Sequence, residues 1–244
     1  MLELVSAGLF SKSKTELRQN EDSILYPKKI LNSYIFAIAD GVGSYEGAYQ
    51  ASSIVTNYLS SLENLFEDSY LLLQHLIENI DSLSKENPSL SQAATTLTLC
   101  IVDELNIKIL HVGDSRLYIK DGLKLKQMTT DHTQHQKLLD AGLFTKKQLK
   151  NMSGKNILTT ALSKNIELEF QEICVPVKDI VDSKGEVVIN IMSDGAYHYW
   201  EKRPRFSENT LSSPLAFAGS LLKRIEKNGP IDDYSLVSVK FKHL

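Results

Sequence analysis

Asp40 closes an apolar, strand-like run in "IFAIADGVGSYEGAYQAS" (residues 35–52), and a helix-like pattern follows it. A strand, a glycine-rich turn and a helix are also the parts of a dinucleotide-binding phosphate site. Here the glycines Gly41, Gly43 and Gly47 are spaced one residue too widely for that fingerprint. The Asp40 carboxylate would also repel a pyrophosphate. A carboxylate at a strand end instead suits a hard divalent cation, and Gly41, lacking a side chain, lets its own carbonyl approach the same ion. Four further acidic turns accompany it: "NED" at 20–22, "GDS" at 113–115, "SDG" at 193–195 and "DDY" at 232–234. Several lie at the edge of an apolar strand, where a carboxylate can point into a shared cleft. Taken singly, each is more often an ordinary turn than a ligand, and spacing does not show that they converge.

The elements that must position these turns follow from periodicity. A strand is expected near Leu2 to Phe10, then "SILYP" and "SYIFAIAD" as a hairpin-like pair separated by "KKILN". Ala48, Ala51, Ile54, Val55, Tyr58, Leu59 and Leu62 recur at helical spacing, and a second helix is expected from about Phe66 to Leu83. "ATTLTLCIV", "IKILHVG", "RLYIK" and "LKLKQM" read as an antiparallel meander. One or two short helices are expected between His132 and Lys150. "EVVINIMSD" is a further strand, "PLAFAGSLLKRIEKNG" a helix stopped by Gly229, and "YSLVSVKF" a closing strand. Runs of strands with inserted helices predict an α+β architecture on antiparallel sheets rather than a doubly wound one. With no repeat or low-complexity linker, residues 1–244 are expected to form one domain.

Bulk properties narrow the function classes. The chain of 244 residues is 42% hydrophobic and 23% charged, an ordinary globular composition. A net charge of −3 with no long basic run gives no case for nucleic acid as a partner. Cys100 and Cys174 form neither a disulfide framework nor a zinc pattern, which fits a reducing cytoplasm. The N-terminal residues lack a secretory pattern and no run reaches the length of a membrane span, so the chain is expected to be unanchored and cytoplasmic.

As an ordered set, "RQNED", "FAIADGVGSYEGAYQAS", "AATTLTLCIV", "HVGDSRLYI", "TTDHT", "NILTTAL", "IMSDGAY" and "DDYSLVSV" resemble the bacterial branch of the PP2C-type (PPM) metal-dependent serine/threonine protein phosphatases, from about Gly8 to Phe241. The resemblance implies a four-layer α-β-β-α sandwich with two central antiparallel sheets. It implies that Asp40 bridges two Mn2+ or Mg2+ ions, with the Gly41 carbonyl on one ion and Asp194 and Asp233 on the other. Glu21 matches a water-mediated ligand, Asp22 its supporting neighbour, and Asp114 the carboxylate of a third ion site. Oxygen ligands without His or Cys suit Mg2+ or Mn2+. The implied activity is hydrolysis of phosphoserine or phosphothreonine by a metal-activated water, with Asp40, Asp194 and Asp233 as the catalytic carboxylates and no phosphoenzyme. The absence of a G-x-S-x-G elbow, a P-loop and a Cys-x5-Arg signature agrees.

This sequence departs from the family pattern at two places. The phosphate-binding Arg is usually three residues before the Asn of "NED"; here Leu17 fills that slot and Arg18 follows it, leaving Arg18 either a phosphate ligand or a solvated side chain. Val42 stands where some relatives carry a His. His132 of "TTDHT" is expected to be structural at a strand-to-helix corner, and His111 to be a packed residue. The segment 134–156 occupies the place of the mobile flap; its Lys146, Lys147 and Lys150 are candidate contacts for an acidic partner or a solvated face. Lys202, Arg203 and Arg205 in "EKRPRF" are candidate phosphopeptide contacts, beside the single Trp200. The expected partner is a phosphorylated protein, a target of a Ser/Thr kinase or the kinase itself. The competing readings are a non-catalytic phosphoprotein-binding module and a phosphatase of small metabolites.

Overall fold

The computed structural model describes residues 2–149, 152–154 and 157–243. In chain order the elements are β1 (Leu2–Lys12), β2 (Asp22–Ile30), β3 (Ser33–Asp40), α1 (Ala48–Ser61), α2 (Ser69–Glu86), β4 (Leu97–Val102), β5 (Asn106–Val112), β6 (Arg116–Asp121), β7 (Lys124–Gln127), α3 (Gln134–Asp140), α4 (Lys146–Leu149), β8 (Gln171–Pro176), β9 (Glu186–Met192), α5 (Asp194–Lys202), α6 (Glu208–Leu211), α7 (Pro214–Asn228) and β10 (Tyr234–His243). Among the described residues the strands form two sheets, ordered β1-β10-β9-β6-β7 and β2-β3-β4-β5-β8. Their named strand pairs are antiparallel.

Three apolar layers hold the elements together, as the expected α-β-β-α sandwich requires. Between the sheets, Phe36, Ile38, Ile107 and Ile109 meet Ile189, Ile191, Val237 and Phe241. The outer face of the β2–β8 sheet is covered by α1 and α2 through Val55, Leu59, Leu73 and Leu76. On the other side Tyr197, Trp200, Phe217 and Leu221 of α5 and α7 cover Met192 and Leu236. Trp200 is therefore a core residue, 2% exposed and packed against Phe206 and Phe217. Two of the long helices have capped starts: Asp68 accepts from Tyr70 N at α2, and Ser213 caps α7 with Pro214 in its first turn.

The structure corrects two sequence expectations about pairing. The supposed meander is split: β4 and β5 pair in one sheet, while β6 pairs with β7 and β9 in the other. Each hairpin is local, but the choice of sheet depends on the distant register Arg116↔Met192, which short β-type runs do not encode. β2 also continues through Lys28–Ile30, where a loop was expected, after a register shift between Leu25 and Lys28. Pro27 lies in that irregular stretch of an edge strand, a position that tolerates its missing N–H.

Candidate metal centre

The cleft sits where the inter-sheet layer runs out of apolar side chains. Along β3, Phe36 and Ile38 face the layer, and the two-residue alternation brings Asp40 to the same face. The same count extends Cys100 of β4 to Thr98 and Thr96, Ile191 of β9 to Ser193, and Val237 of β10 to Ser235 and Asp233. The polar mouth is thus the continuation of core faces past the ends of their strands. It forms a cleft of about 370 Å³, whose lining includes Arg18, Glu21, Asp40, Gly41, Asp114, Asp194 and Asp233. Both sheets contribute, because Asp40 ends β3 whereas Asp194 and Asp233 flank β9 and β10.

Close backbone approach explains why two Asp-Gly pairs lie here. A Cβ on Gly41 would fall 2.4 Å from the Ala48 carbonyl oxygen, and one on Gly195 would fall 2.0 Å from that of Asp233. Glycine at these positions lets the β3–α1 and β9–α5 turns lie against their neighbours. Asp40 is fixed further by its own amide, which donates to Thr96 Oγ1 at 3.1 Å, and by its carbonyl, which accepts from Thr96 N at 2.8 Å and Thr95 Oγ1 at 3.0 Å.

Not every predicted site residue is placed alike. Asp22 does not line the cleft; it lies behind it, opposite Asp40 in the β2–β3 register. Ser193 Oγ donates to Asp22 Oδ2 at 2.7 Å and accepts from Ser235 N at 2.9 Å, joining β2, β9 and β10. Both Asp233 oxygens accept backbone N–H groups, from Lys14 and Glu21, each at 2.7 Å. Glu21 pairs with Arg18, whose other arm stands 3.8 Å from Asp232. Arg18 thus faces the cleft from the carboxylate side, while Leu17 is fully exposed. Among the described residues no three His, Cys, Asp or Glu side chains converge closely enough to hold an ion as they stand.

The electrostatics nevertheless suit a cation. Burial, then the charges of Asp22, Asp194 and Asp114, hold the Asp40 carboxyl well above the usual carboxylate range. Burial and Asp194 do the same to Asp114, against which Arg116 acts. Burial raises Asp22 to about 7, opposed by hydrogen bonds from Ser235 and Ser193, and its Oδ1 is buried without a hydrogen-bond partner. Crowded carboxylates of this kind need protons or a bound cation. The lining oxygens, with no His or Cys among them, fit Mn2+ or Mg2+ rather than zinc.

Several residues bearing on the site were not among the site residues expected from the sequence. Asp232 and Leu158 line the cleft, Asp232 directly beside the predicted Asp233. Arg116 has its side chain 15% exposed and meets Asp131 through two bonds of 2.8 and 2.6 Å and Glu201 at 2.5 Å. Its guanidinium lies 4.0 Å over the Tyr197 ring. One side chain therefore ties the Asp114 turn, the "TTDHT" segment and the helix that begins at Asp194. The "GDSR" and "TTDHT" strings contain both partners, but sequence distance hid their pairing. His132 accepts from Gly113 N at 3.0 Å and stacks on His111. His111 is buried with Nδ1 2.9 Å from Thr98 Oγ1. Lys146 and Lys147 are exposed on α4, and Lys150 lies outside the described residues.

Comparison with known proteins places this geometry in context. The model of the protein phosphatase 2C family matches residues 15–226. The serine/threonine phosphatase stp of Listeria monocytogenes serotype 4b is 30% identical over 155 residues, covering 59% of this chain and 62% of that protein. The chain thus spans about three-fifths of the length of that relative. A putative protein phosphatase of Mycoplasma pneumoniae is 24% identical over 96% of this chain and 95% of its own length. Among solved structures, the catalytic domain of the phosphatase PstP in complex with two manganese ions superposes with a TM-score of 0.72 at 21% identity, covering 99% of this chain and 100% of that one.

Proposed function

Because this chain belongs to the protein phosphatase 2C family, we propose that it is a metal-dependent protein phosphatase that hydrolyses phosphoserine or phosphothreonine. The observation that carries the proposal is the meeting of Glu21, Asp40, Asp114, Asp194 and Asp233, from both sheets, around one cleft with Arg18 at its wall. Residues 1–244 would act as one phosphatase domain, in line with the near full-length match to the Mycoplasma protein.

Asp40, the Gly41 carbonyl, Asp194 and Asp233 would hold two Mn2+ or Mg2+ ions, with Glu21 and Asp22 behind them and Asp114 at a third. Such ions supply Lewis acidity and acidify water at neutral pH. The chain's own groups do the rest. Arg18 has its guanidinium between Glu21 and Asp232 and would turn to a phosphoryl oxygen, exchanging one anionic partner for another. Ser193 holds Asp22 against β9, and the Lys14 and Glu21 amides fix Asp233, so these two carboxylates are oriented before substrate arrives. No Cys or His lines the cleft among the described residues, in keeping with direct attack by water and no phosphoenzyme. The partners would be phosphorylated proteins, either targets of a Ser/Thr kinase or the kinase itself. No described helix is long and apolar enough to cross a membrane. Cys100 and Cys174 are free thiols, in keeping with a reducing, cytoplasmic setting.

The test is phosphate release from a phosphothreonine peptide with Mn2+, with Mg2+ and with EDTA, beside Asp40→Asn. Turnover that needs metal and falls at least a hundredfold in the variant is expected. Folded, metal-loaded protein without turnover on this peptide, but with turnover on a small phosphate ester, would move the assignment to metabolites. Binding of the peptide without turnover on either would move it to a binding module.

A further inference from the structure

The turn after α5 is built in an unusual way for a surface loop. Arg224 of α7 donates to the carbonyls of Tyr199 at 3.2 Å, Arg203 at 2.7 Å and Arg205 at 3.1 Å. Its guanidinium also lies 4.0 Å over the Phe206 ring, which packs on Trp200 and Phe217 in the core beneath. A half-buried cation thus clamps the backbone of residues 199–206. The side chains of Lys202, Arg203 and Arg205 are displayed outward from this turn. None of them forms an ion pair among the described residues; of the nearby acids, Glu201 is paired with Arg116 and Glu226 with Lys12, and Glu208 stands in the first turn of α6. Lys223 and Lys227 flank Arg224 on α7 and are exposed. A chain of net charge −3 therefore holds a rigid, unneutralised cationic face, and holds it with a further cation. Mutual repulsion makes such a face costly to the free protein and favourable only toward an anion.

We propose that the Arg224-clamped turn is a docking face for an acidic polypeptide segment flanking the phosphoresidue of the substrate. The proposal rests on the phosphatase reading for the word substrate. The reach follows from α5, which begins at Asp194 in the cleft and runs nine residues to Lys202. At 1.5 Å per residue this is about 14 Å. An extended peptide spans that distance in about four residues at ~3.3 Å each. The acidic stretch should therefore begin about four to eight residues from the phosphorylated side chain. The exposed charges contribute through rate of encounter and weak affinity rather than by chemistry at the cleft.

Two measurements separate this from the phosphatase reading. The first compares kcat/KM for a phosphothreonine peptide carrying three Glu five to seven residues away with the same peptide carrying Gln, on wild type and on the Arg203→Glu/Arg205→Glu protein. The backbone carbonyls that Arg224 clamps are unchanged by these substitutions. The Glu peptide is expected to be favoured about three- to tenfold by wild type at low salt. That preference should vanish in the variant and at about 0.5 M NaCl, with the Gln peptide turned over equally by both proteins. The second measures fluorescence anisotropy of the unphosphorylated Glu peptide with either protein in EDTA, which needs no activity. Saturable, salt-sensitive binding lost in the variant supports the face even if no phosphopeptide is hydrolysed. Equal binding by both proteins, no binding, or stronger capture by anionic vesicles than by the peptide overturns the proposal.

Discussion

Replacing Asp22 by Asn should stabilise the metal-free protein while harming the metal-loaded one. Asp22 is 5% exposed, and burial lifts its carboxyl from the usual 3.8 to about 7. A carboxyl whose pKa is raised by folding contributes stability that is fully present below 3.8 and is lost as the pH rises through about 7. About three pH units at ~1.4 kcal/mol each give about 4 kcal/mol lost between acid and mildly alkaline pH. Asn has the shape of the protonated acid and keeps an oxygen for the Ser193 hydroxyl, so it removes this loss. In EDTA the variant should therefore match wild type near pH 4 and exceed it by up to about 4 kcal/mol at pH 8. Urea unfolding is followed by the fluorescence of the single, buried Trp200. Saturating Mn2+ should reverse the order, because each of the two proposed ions at a hundred times its dissociation constant adds ~2.7 kcal/mol, about 5 kcal/mol together, to a protein that binds both. A wild-type protein whose stability in EDTA rises relative to Asp22→Asn between pH 5 and pH 8 would refute the reasoning.

Three further outcomes follow from the same geometry. Arg18→Ala should raise KM for a phosphopeptide about tenfold with kcat changed less, since its proposed contact would be with bound phosphoryl oxygens; an unchanged KM in steady-state kinetics would assign Arg18 to the surface. Arg116→Lys keeps the charge but loses the paired bonds to Asp131 and the stack on Tyr197. A loss of about 2 kcal/mol is expected by urea unfolding, and a double-mutant cycle with Asp131→Asn should show coupling. His111 is pushed down to about 3 by burial and by His132, so its stabilising effect is present above pH 6.5 and lost as the pH falls toward 3. His111→Phe should flatten the acid limb of stability against pH by ~1.4 kcal/mol per pH unit below 6.5; an unchanged slope in urea midpoints would contradict it.

The sequence disclosed those parts of the fold whose signal is local. β3 ending at Asp40 and the helix after it were readable because apolar alternation changes to helical spacing at a glycine-rich turn. α7 was readable from its Pro start and Gly stop. By contrast α5 was not identified: nine residues with Gly195 and four of the others aromatic or His have little helix propensity, and packing of Tyr197 and Trp200 decides its state. The split of the expected meander and the Arg116–Asp131 pair depend on partners far away in sequence. The cleft shows the same division. Its acids were visible as turns, whereas Asp233 held by the Lys14 and Glu21 amides required β1, β2 and β10 to be side by side.

That arrangement also orders events in time. β10 lies between β1 and β9, and its register with β1 runs from Leu2↔His243 to Lys12↔Tyr234. Strands at opposite ends of the sequence must find each other before that sheet is complete, a topology of high contact order that folds slowly. Asp40 can be in place on β3 well before this, but Asp233 arrives only with β10. On the proposed role of Asp233, a ribosome-bound or partly folded chain would expose half of an acidic cleft and no hydrolytic competence, so activity would switch on with the last step of folding rather than growing with it.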